Sequence, residues 1–342
     1  MTISLKLINT FGLSAKTKFL IVINTEYDLF KLCKYLQKKN SYRLLILGNG
    51  SNVIFLENYH GIILLDRIYG LFFKEDKYFW YIHVNSGEIW SKLVYRCLKL
   101  NIFGLENLAM IPGRVGASVV QNIGAYGKEL KDFCEYVDII YFSNSCKIRL
   151  SNHDCKFNYR NSIFKQHLLN KCYIISLGLK ISKFWQPKLY FNNLSKLNNL
   201  VTPKNIYDAV CKVRRYKLPD YRFVGNVGSF FKNPIVSISK LIKLKNYFPN
   251  IIYYDLNKDK KIISAAWLIK YCGLKGYKFG TVSIYNKHEL ILINNGYANS
   301  KDIIRLVCYI LKKVKNYFSI LLELEVCLVN KYGIVKDFKI FE

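Results

Sequence analysis

Apolar residues along the chain recur with two different spacings, and the switches between them predict alternating strands and helices. Phe19 to Ile23 is a short apolar run of strand type, and Glu26 to Lys39 carries the wider spacing of an amphipathic helix. Leu44 to Leu47 and Val53 to Leu56 are further strands on either side of a polar, glycine-bearing loop. A strand from Trp80 to Glu88 then leads into a helix from Ile89 to Leu100. Between Asp132 and Ile181 the runs are short and β-rich, at Val137 to Phe142, Lys147 to Leu150 and Tyr173 to Ile181. Helices are predicted near Ile238 to Tyr247, Ala265 to Tyr271 and Lys301 to Lys315, with a strand at Glu289 to Asn294. The last strand, Ile320 to Leu328, alternates through Leu322-Glu323-Leu324-Glu325-Val326 and puts two carboxylates on one face.

A chain of 342 residues and 40.1 kDa exceeds one ordinary core. We expect three modules: 1–70, 71–216 joined by 320–342, and 217–319. No stretch approaches the roughly eighteen apolar residues of a membrane span, and Met1 to Gly12 lacks the pattern of a secretory signal. A soluble, cytoplasmic protein is the expectation. The ten cysteines include no Cys-x-x-Cys pair and the five histidines no metal-ligand spacing, so neither disulfides nor a metal are expected. The net charge of +29 suggests a nucleic-acid partner. Lysines are spread through nearly every segment, however, and accompany abundant Asn, Ile, Tyr and Phe, all with AT-rich codons. Compositional drift accounts for that excess, and specific nucleic-acid binding is not expected.

Two glycine-bearing segments stand out. The first is Gly48-Asn49-Gly50-Ser51-Asn52 and the second runs from Ile111 through Pro112, Gly113, Gly116, Ala117, Ser118, Gln121, Asn122, Gly124 and Ala125 to Tyr126 and Gly127. Glycine lacks a Cβ, so such runs turn sharply and aim consecutive N–H groups at one point, which suits a phosphate or diphosphate. The Gly-x-Gly of the first segment is not a dinucleotide loop of the Rossmann type, since strand flanks it on both sides. The two segments are expected to be halves of one anion site for a large phosphorylated cofactor.

Other candidates are weaker when read locally. Ser229 lies on a glycine turn within Gly225-Asn226-Val227-Gly228-Ser229-Phe230-Phe231-Lys232-Asn233-Pro234, which is not the Gly-x-Ser-x-Gly of a hydrolase elbow. Arg160 sits on an aromatic-flanked turn, and nothing local chooses Glu325 over Glu323. An ordinary turn serine, a surface arginine and an exposed strand glutamate are the alternatives.

In order and spacing, these segments together resemble the UDP-N-acetylenolpyruvoylglucosamine reductase family, in its longer form. The resemblance runs from Asn9-Thr10-Phe11-Gly12 through Gly48 to Val53, Gly104-Leu105-Glu106-Asn107, Ile111-Pro112-Gly113, Gln121 to Gly127, Tyr159 to Phe164, Lys217-Leu218-Pro219, Gly228 to Pro234, Ala266 to Ile269 and Gly273 to Gly276, ending at Leu324-Glu325-Val326. It implies an α+β, three-domain flavoprotein with a two-part FAD-binding region like that of vanillyl-alcohol oxidase (PCMH type) and a separate α/β substrate-binding domain. FAD and NADPH are the implied cofactor and co-substrate. The implied activity is reduction of the enolpyruvyl group of a UDP-sugar in peptidoglycan precursor synthesis, by a monomer; another oxidase or dehydrogenase of the same flavin fold is the nearer alternative, and a basic nucleic-acid-binding protein the remoter one.

By matched position the resemblance implies that Ser229 gives a proton to C2 of the substrate while Arg160 and Glu325 polarise its carboxylate. The physics agrees: hydride arriving at C3 pushes negative charge onto C2 and the carboxylate, and a guanidinium nearby lowers that barrier. The implied substrate contacts are Tyr126, Arg214, Lys217, Asn233 and His288, and a closing aromatic at Tyr190 or Phe191.

Overall fold

The computed structural model describes residues 2–38, 42–189 and 201–335. The chain divides into two compact units, one of Met1–Ile3, Thr17–Asn49 and His60–Arg215, the other of Ser4–Lys16, Gly50–Tyr59 and Tyr216–Glu342. Tyr190 and Phe191 lie outside the described residues.

In the first unit, strands Leu44–Leu47 and Tyr59–Asp66 pair in parallel, Leu44 opposite Ile62 and Leu47 opposite Leu65. Helix Glu26–Gln37 starts on a capping box in which Thr25 and Asp28 exchange side-chain and backbone bonds, and it buries Leu29, Leu32, Cys33 and Leu36 at helical spacing. A five-stranded antiparallel sheet follows, ordered Lys147–Ser151, Cys134–Tyr141, Cys172–Ser182, Phe79–Asn85, Leu71–Glu75. One face of it, with Ile82, Val84, Val137, Ile139, Leu177 and Leu179, closes a core against Trp90, Leu93, Val94 and Cys97 of helix Trp90–Lys99. Ile140, Phe142, Tyr173 and Ile175 pack instead with helix Glu26–Gln37.

Strands Tyr59–Asp66 and Leu71–Glu75 escape the sequence reading, and so do two α-helices. Helix Pro203–Lys217 opens on proline, whose missing N–H costs nothing in a first turn, but buries only Ile206, Val210 and Cys211, too thin a stripe to stand out among its basic residues. It carries Arg214 and Lys217. The short helix Val115–Val120 carries the middle of the second glycine segment.

The second unit holds a four-stranded sheet ordered Asn226–Ser229, Ile291–Asn294, Val282–Ile284, Lys278–Phe279. Helix Ser300–Phe318 buries seven residues in the same core, from Ile303 to Phe318. Helices Ile238–Tyr247 and Ala265–Tyr271 fall where the periodicity puts them. Val53–Phe55 pairs in parallel with Cys327–Asn330, so residues from 320 onward belong to this unit.

The expected strand from Ile320 to Leu328 requires correction, because regular pairing begins only at Cys327. Before that, one bridge joins Leu324 to Phe231, flanked by bonds from the Lys232 N–H to the Glu323 carbonyl and from the Glu325 N–H to the Phe230 carbonyl, each 2.9 Å. Pro234 lacks the N–H that would extend this ladder. Burial keeps only part of the alternation: Leu322 and Val326 are buried and Glu323 is exposed, whereas Leu324 and Glu325 are both half-buried.

Candidate functional site

Within the first unit the structure brings the early part of the first glycine segment against the second. Arg114 Nε donates to Asn49 Oδ1 at 2.8 Å, and a Cβ on Gly48 would lie 3.2 Å from the Arg114 Cβ and 3.4 Å from that of Ala117. Arg67 Nη1 donates to the Gly48 carbonyl at 3.0 Å. Neither arginine was singled out in sequence, although Arg114 stands inside the second segment between Gly113 and Gly116 and its charge there was the available signal.

Beneath them lies Asp66, 4% exposed, accepting from the Ser86 hydroxyl at 2.9 Å and the Ile68 N–H at 3.3 Å. Burial raises its pKa to about 6 against the pull of those donors and of Arg114. A Cβ on Gly116 would come 2.8 Å from the Ser86 Cβ and 3.0 Å from Asp66 Oδ2, so glycine there permits close packing.

The second segment spends much of its polarity inward. The Gly116 N–H donates to the Ser86 carbonyl at 2.9 Å and the Ser118 hydroxyl to the Val115 carbonyl at 2.6 Å. Asn122 is fully buried; its Nδ2 donates to Glu129 Oε2 at 3.0 Å and to the Asn158 carbonyl at 3.1 Å, and its Oδ1 accepts from the Lys131 N–H at 3.0 Å. That side chain ties the segment to the turn carrying Arg160. Ile111, Pro112, Gly113 and Gln121 belong to the same stretch of the first unit, and Gly124–Ala125 forms a short ribbon with Lys128–Glu129.

Arg160 occupies the left-handed region at φ +51°, between Asn158 and Asn161, which exchange backbone bonds. Its Nη2 donates to the Gly124 carbonyl at 2.9 Å. Tyr126, at φ +49°, is held through its carbonyl by Asn107 Nδ2 at 2.9 Å, and its hydroxyl meets the Arg214 guanidinium. Burial raises the Tyr126 pKa and lowers that of Arg214. Two expected substrate contacts are thus neighbours.

In the second unit, Gly50 is buried at φ +60° and its carbonyl accepts from the Thr10 N–H at 3.2 Å. The Asn52 carbonyl accepts from the Cys327 N–H at 3.0 Å, and Asn52 Nδ2 donates to the Glu325 carbonyl at 3.2 Å. Among the described residues the N–H groups of Asn49, Gly50 and Ser51 donate to no protein acceptor. Consecutive unspent backbone donors of this kind fit an anionic group such as the diphosphate of a flavin dinucleotide.

Ser229 and Glu325 lie on either side of Phe230, whose carbonyl takes the Glu325 N–H. Ser229 ends strand Asn226–Ser229 opposite Ile291, next to a register shift, and is half-buried. The structure separates the two glutamates that sequence left open: Glu323 is exposed and paired with Lys232 at 2.9 Å, whereas Glu325 is half-buried. Asn233 Oδ1 accepts from the Ala265 N–H at 2.9 Å, and His288 Nδ1 accepts from the Leu290 N–H at 3.2 Å, which leaves any proton of the neutral ring on Nε2. Lys217 is exposed.

Among the described residues no helix is long and apolar enough to cross a membrane. A family model described as UDP-N-acetylenolpyruvoylglucosamine reductase, C-terminal domain, matches residues 219–329, and one described as FAD binding domain matches residues 17–145. The UDP-N-acetylenolpyruvoylglucosamine reductase of Blochmanniella floridana is 46% identical over 339 residues, 98% of either chain. That of Salmonella typhi is 41% identical over 334 residues, 97% of either chain. The crystal structure of the UDP-N-acetylenolpyruvylglucosamine reductase from Thermus caldophilus superposes with a TM-score of 0.64 at 24% identity, covering 96% of this chain and 98% of that one, and so shares the mixed α+β fold. The chain belongs to the UDP-N-acetylenolpyruvoylglucosamine reductase family.

Proposed function

We propose that Ser229, Arg160 and Glu325 carry the chemistry of this enzyme, an FAD-dependent oxidoreductase of peptidoglycan precursor synthesis that acts on a UDP-sugar with NADPH as reductant. FAD, when bound, supplies the relay of hydride from NADPH to the enolpyruvyl group. The backbone donors of Asn49, Gly50 and Ser51, with Gly48, Asn52 and the stretch from Ile111 to Ala125, are the residues that would hold it.

Arg160 acts on the substrate carboxylate, where charge accumulates as C3 is reduced, and its guanidinium stabilises that charge. Its side chain is already held by the Gly124 carbonyl, so little reorganisation is needed. Glu325 in its protonated form donates to the same carboxylate. The Ser229 hydroxyl delivers a proton to C2; it is a weak acid, so placement matters more than acidity. Arg214 and Lys217 take the diphosphate of the sugar nucleotide, and Tyr126, Asn233 and His288 orient it. Tyr190 or Phe191 covers the nucleotide. The enzyme works as a monomer in the cytoplasm without a specific nucleic-acid partner, in the three functional modules 1–70, 71–216 with 320–342, and 217–319.

The observation that supports this reading best is the bond between the Glu325 N–H and the Phe230 carbonyl, 2.9 Å, which sets Glu325 beside the Ser229 turn. The test separates the half-reactions. In stopped-flow measurements Ser229→Ala should lose flavin absorbance with NADPH at a near-normal rate and recover it on adding substrate about 10²- to 10⁴-fold more slowly. Equal slowing of both phases would point to a cofactor or folding defect, and unimpaired recovery would give the proton to another group.

A further inference from the structure

Arg114 is 6% exposed, and its guanidinium reaches three acceptors: Asn49 Oδ1 at 2.8 Å, the Tyr69 hydroxyl at 3.2 Å and the Gly87 carbonyl. The Tyr69 ring lies 5.5 Å from its Cζ. Arg67 approaches the same segment, donating to the carbonyls of Gly48 at 3.0 Å and Asp66 at 2.6 Å. All of these acceptors are neutral. The carboxylate nearby, Asp66, is turned to Ser86 and Ile68, and neither arginine forms an ion pair among the described residues. Burial, and next the charge of Arg114, lowers the Arg67 pKa. Asp66 thus acts on both arginines only from a distance, and two cations sharing one indirect carboxylate leave a net positive charge at the loop.

We propose that Arg114 is a positioning residue for the flavin diphosphate, fixing the Asn49 side chain at the start of the phosphate loop and bringing an unpaired positive charge to it. This rests on the cofactor-segment reading above. Arginine suits the task because one planar head serves three separate acceptors, which a lysine ammonium on a flexible stem does less rigidly. The diphosphate is then the direct ionic partner that Asp66, turned to Ser86 and Ile68, does not provide, and FAD binding relieves the repulsion between Arg114 and Arg67.

The test titrates FAD into the apoprotein at rising KCl, following flavin fluorescence. In the parent, FAD affinity should fall as KCl is raised. Arg114→Gln should bind FAD at least about tenfold more weakly at low salt and show a flatter salt dependence. Arg114→Lys keeps the charge and loses the fork, so it should show weaker binding with the parental salt dependence. A parental salt dependence in Arg114→Gln would overturn the proposal whatever its absolute affinity, because a merely structural role does not change that slope. Gly48→Val tests the underlying reading separately: a folded variant with parental FAD affinity would mean that the loop does not hold the cofactor, whereas weakened Gly48→Val beside an unaffected Arg114→Gln would overturn Arg114 alone.

Discussion

The two glycine-bearing segments have similar compositions and point their polar groups in opposite directions. The first is anchored through its carbonyls, Gly48 to Arg67, Gly50 to Thr10 and Asn52 to Cys327, and keeps the N–H groups of Asn49, Gly50 and Ser51 unspent among the described residues. The second turns donors inward: Gly116 to Ser86, Ser118 to Arg114 and Val115, Asn122 to Glu129 and Asn158. A segment with unspent donors and a segment whose donors are spent inward look alike in composition. They differ in which half of each peptide group is used.

The largest effect should come from the first segment. A Cβ on Gly50 would lie 2.1 Å from the Ile8 carbonyl oxygen and 2.8 Å from the Asn9 Cα, at φ +60°. Gly50→Val therefore meets the protein's own backbone before any phosphate. It should give little soluble protein, and what is recovered should have lost secondary structure by circular dichroism. A folded but colourless variant would show that the obstacle is crowding of the diphosphate instead.

Asn122→Ala probes the second segment as a scaffold. It deletes three hydrogen bonds from a fully buried side chain and strands their partners, at a cost of roughly 2–4 kcal/mol by urea unfolding. Because Asn122 grips the Asn158 carbonyl beside Arg160, turnover should fall while purified protein keeps its flavin. Loss of flavin at preserved turnover per bound flavin would make Asn122 a cofactor ligand and erase the contrast.

Asp66 lies under both segments and should register in the pH profile. Its folded pKa of about 6 is above the ordinary carboxylate value, so the native state holds the extra proton between about pH 4 and 6. The associated stability is present below about pH 4 and is lost as pH rises through 6, roughly 2–3 kcal/mol for a shift of this size. Asp66→Asn should flatten that part of the profile in urea midpoints. An unchanged slope would mean that Asp66 is ionised throughout, as an ion pair with an arginine would make it.

Much of this was legible in sequence. Helices Glu26–Gln37 and Ala265–Tyr271 follow from their apolar spacing, and the strands either side of Gly48 to Asn52 from their short apolar runs. The residues that carry family motifs were legible too, whether or not they form regular elements. What sequence missed depends on three-dimensional neighbours. Leu322 to Val326 alternates as a strand does, yet Pro234 stops the ladder it would join. The local pattern did not separate Glu323 from Glu325, which the resemblance alone chose; in the structure Lys232 pairs with Glu323. The partners of Asn122, Glu129, Lys131 and Asn158, were likewise not legible, because they come from segments distant in the chain or from its own backbone turn.

The smallest expected effect, and the finest probe of the contrast, is Gly48→Ala. Gly48 is not in the left-handed region, and its added methyl would meet side-chain carbons of Arg114 at 3.2 Å and Ala117 at 3.4 Å rather than backbone. Those neighbours need to give by only a few tenths of an ångström, so the fold should lose less than about 1 kcal/mol, a drop of about 2 °C in Tm. The same small displacement, however, moves Arg114 relative to Asn49, so FAD titration of the apoprotein should show a few-fold loss of affinity out of proportion to the change in stability. If affinity and stability fall together, the first segment is as much scaffold as the second, and the unspent donors of Asn49, Gly50 and Ser51 are not what holds the cofactor.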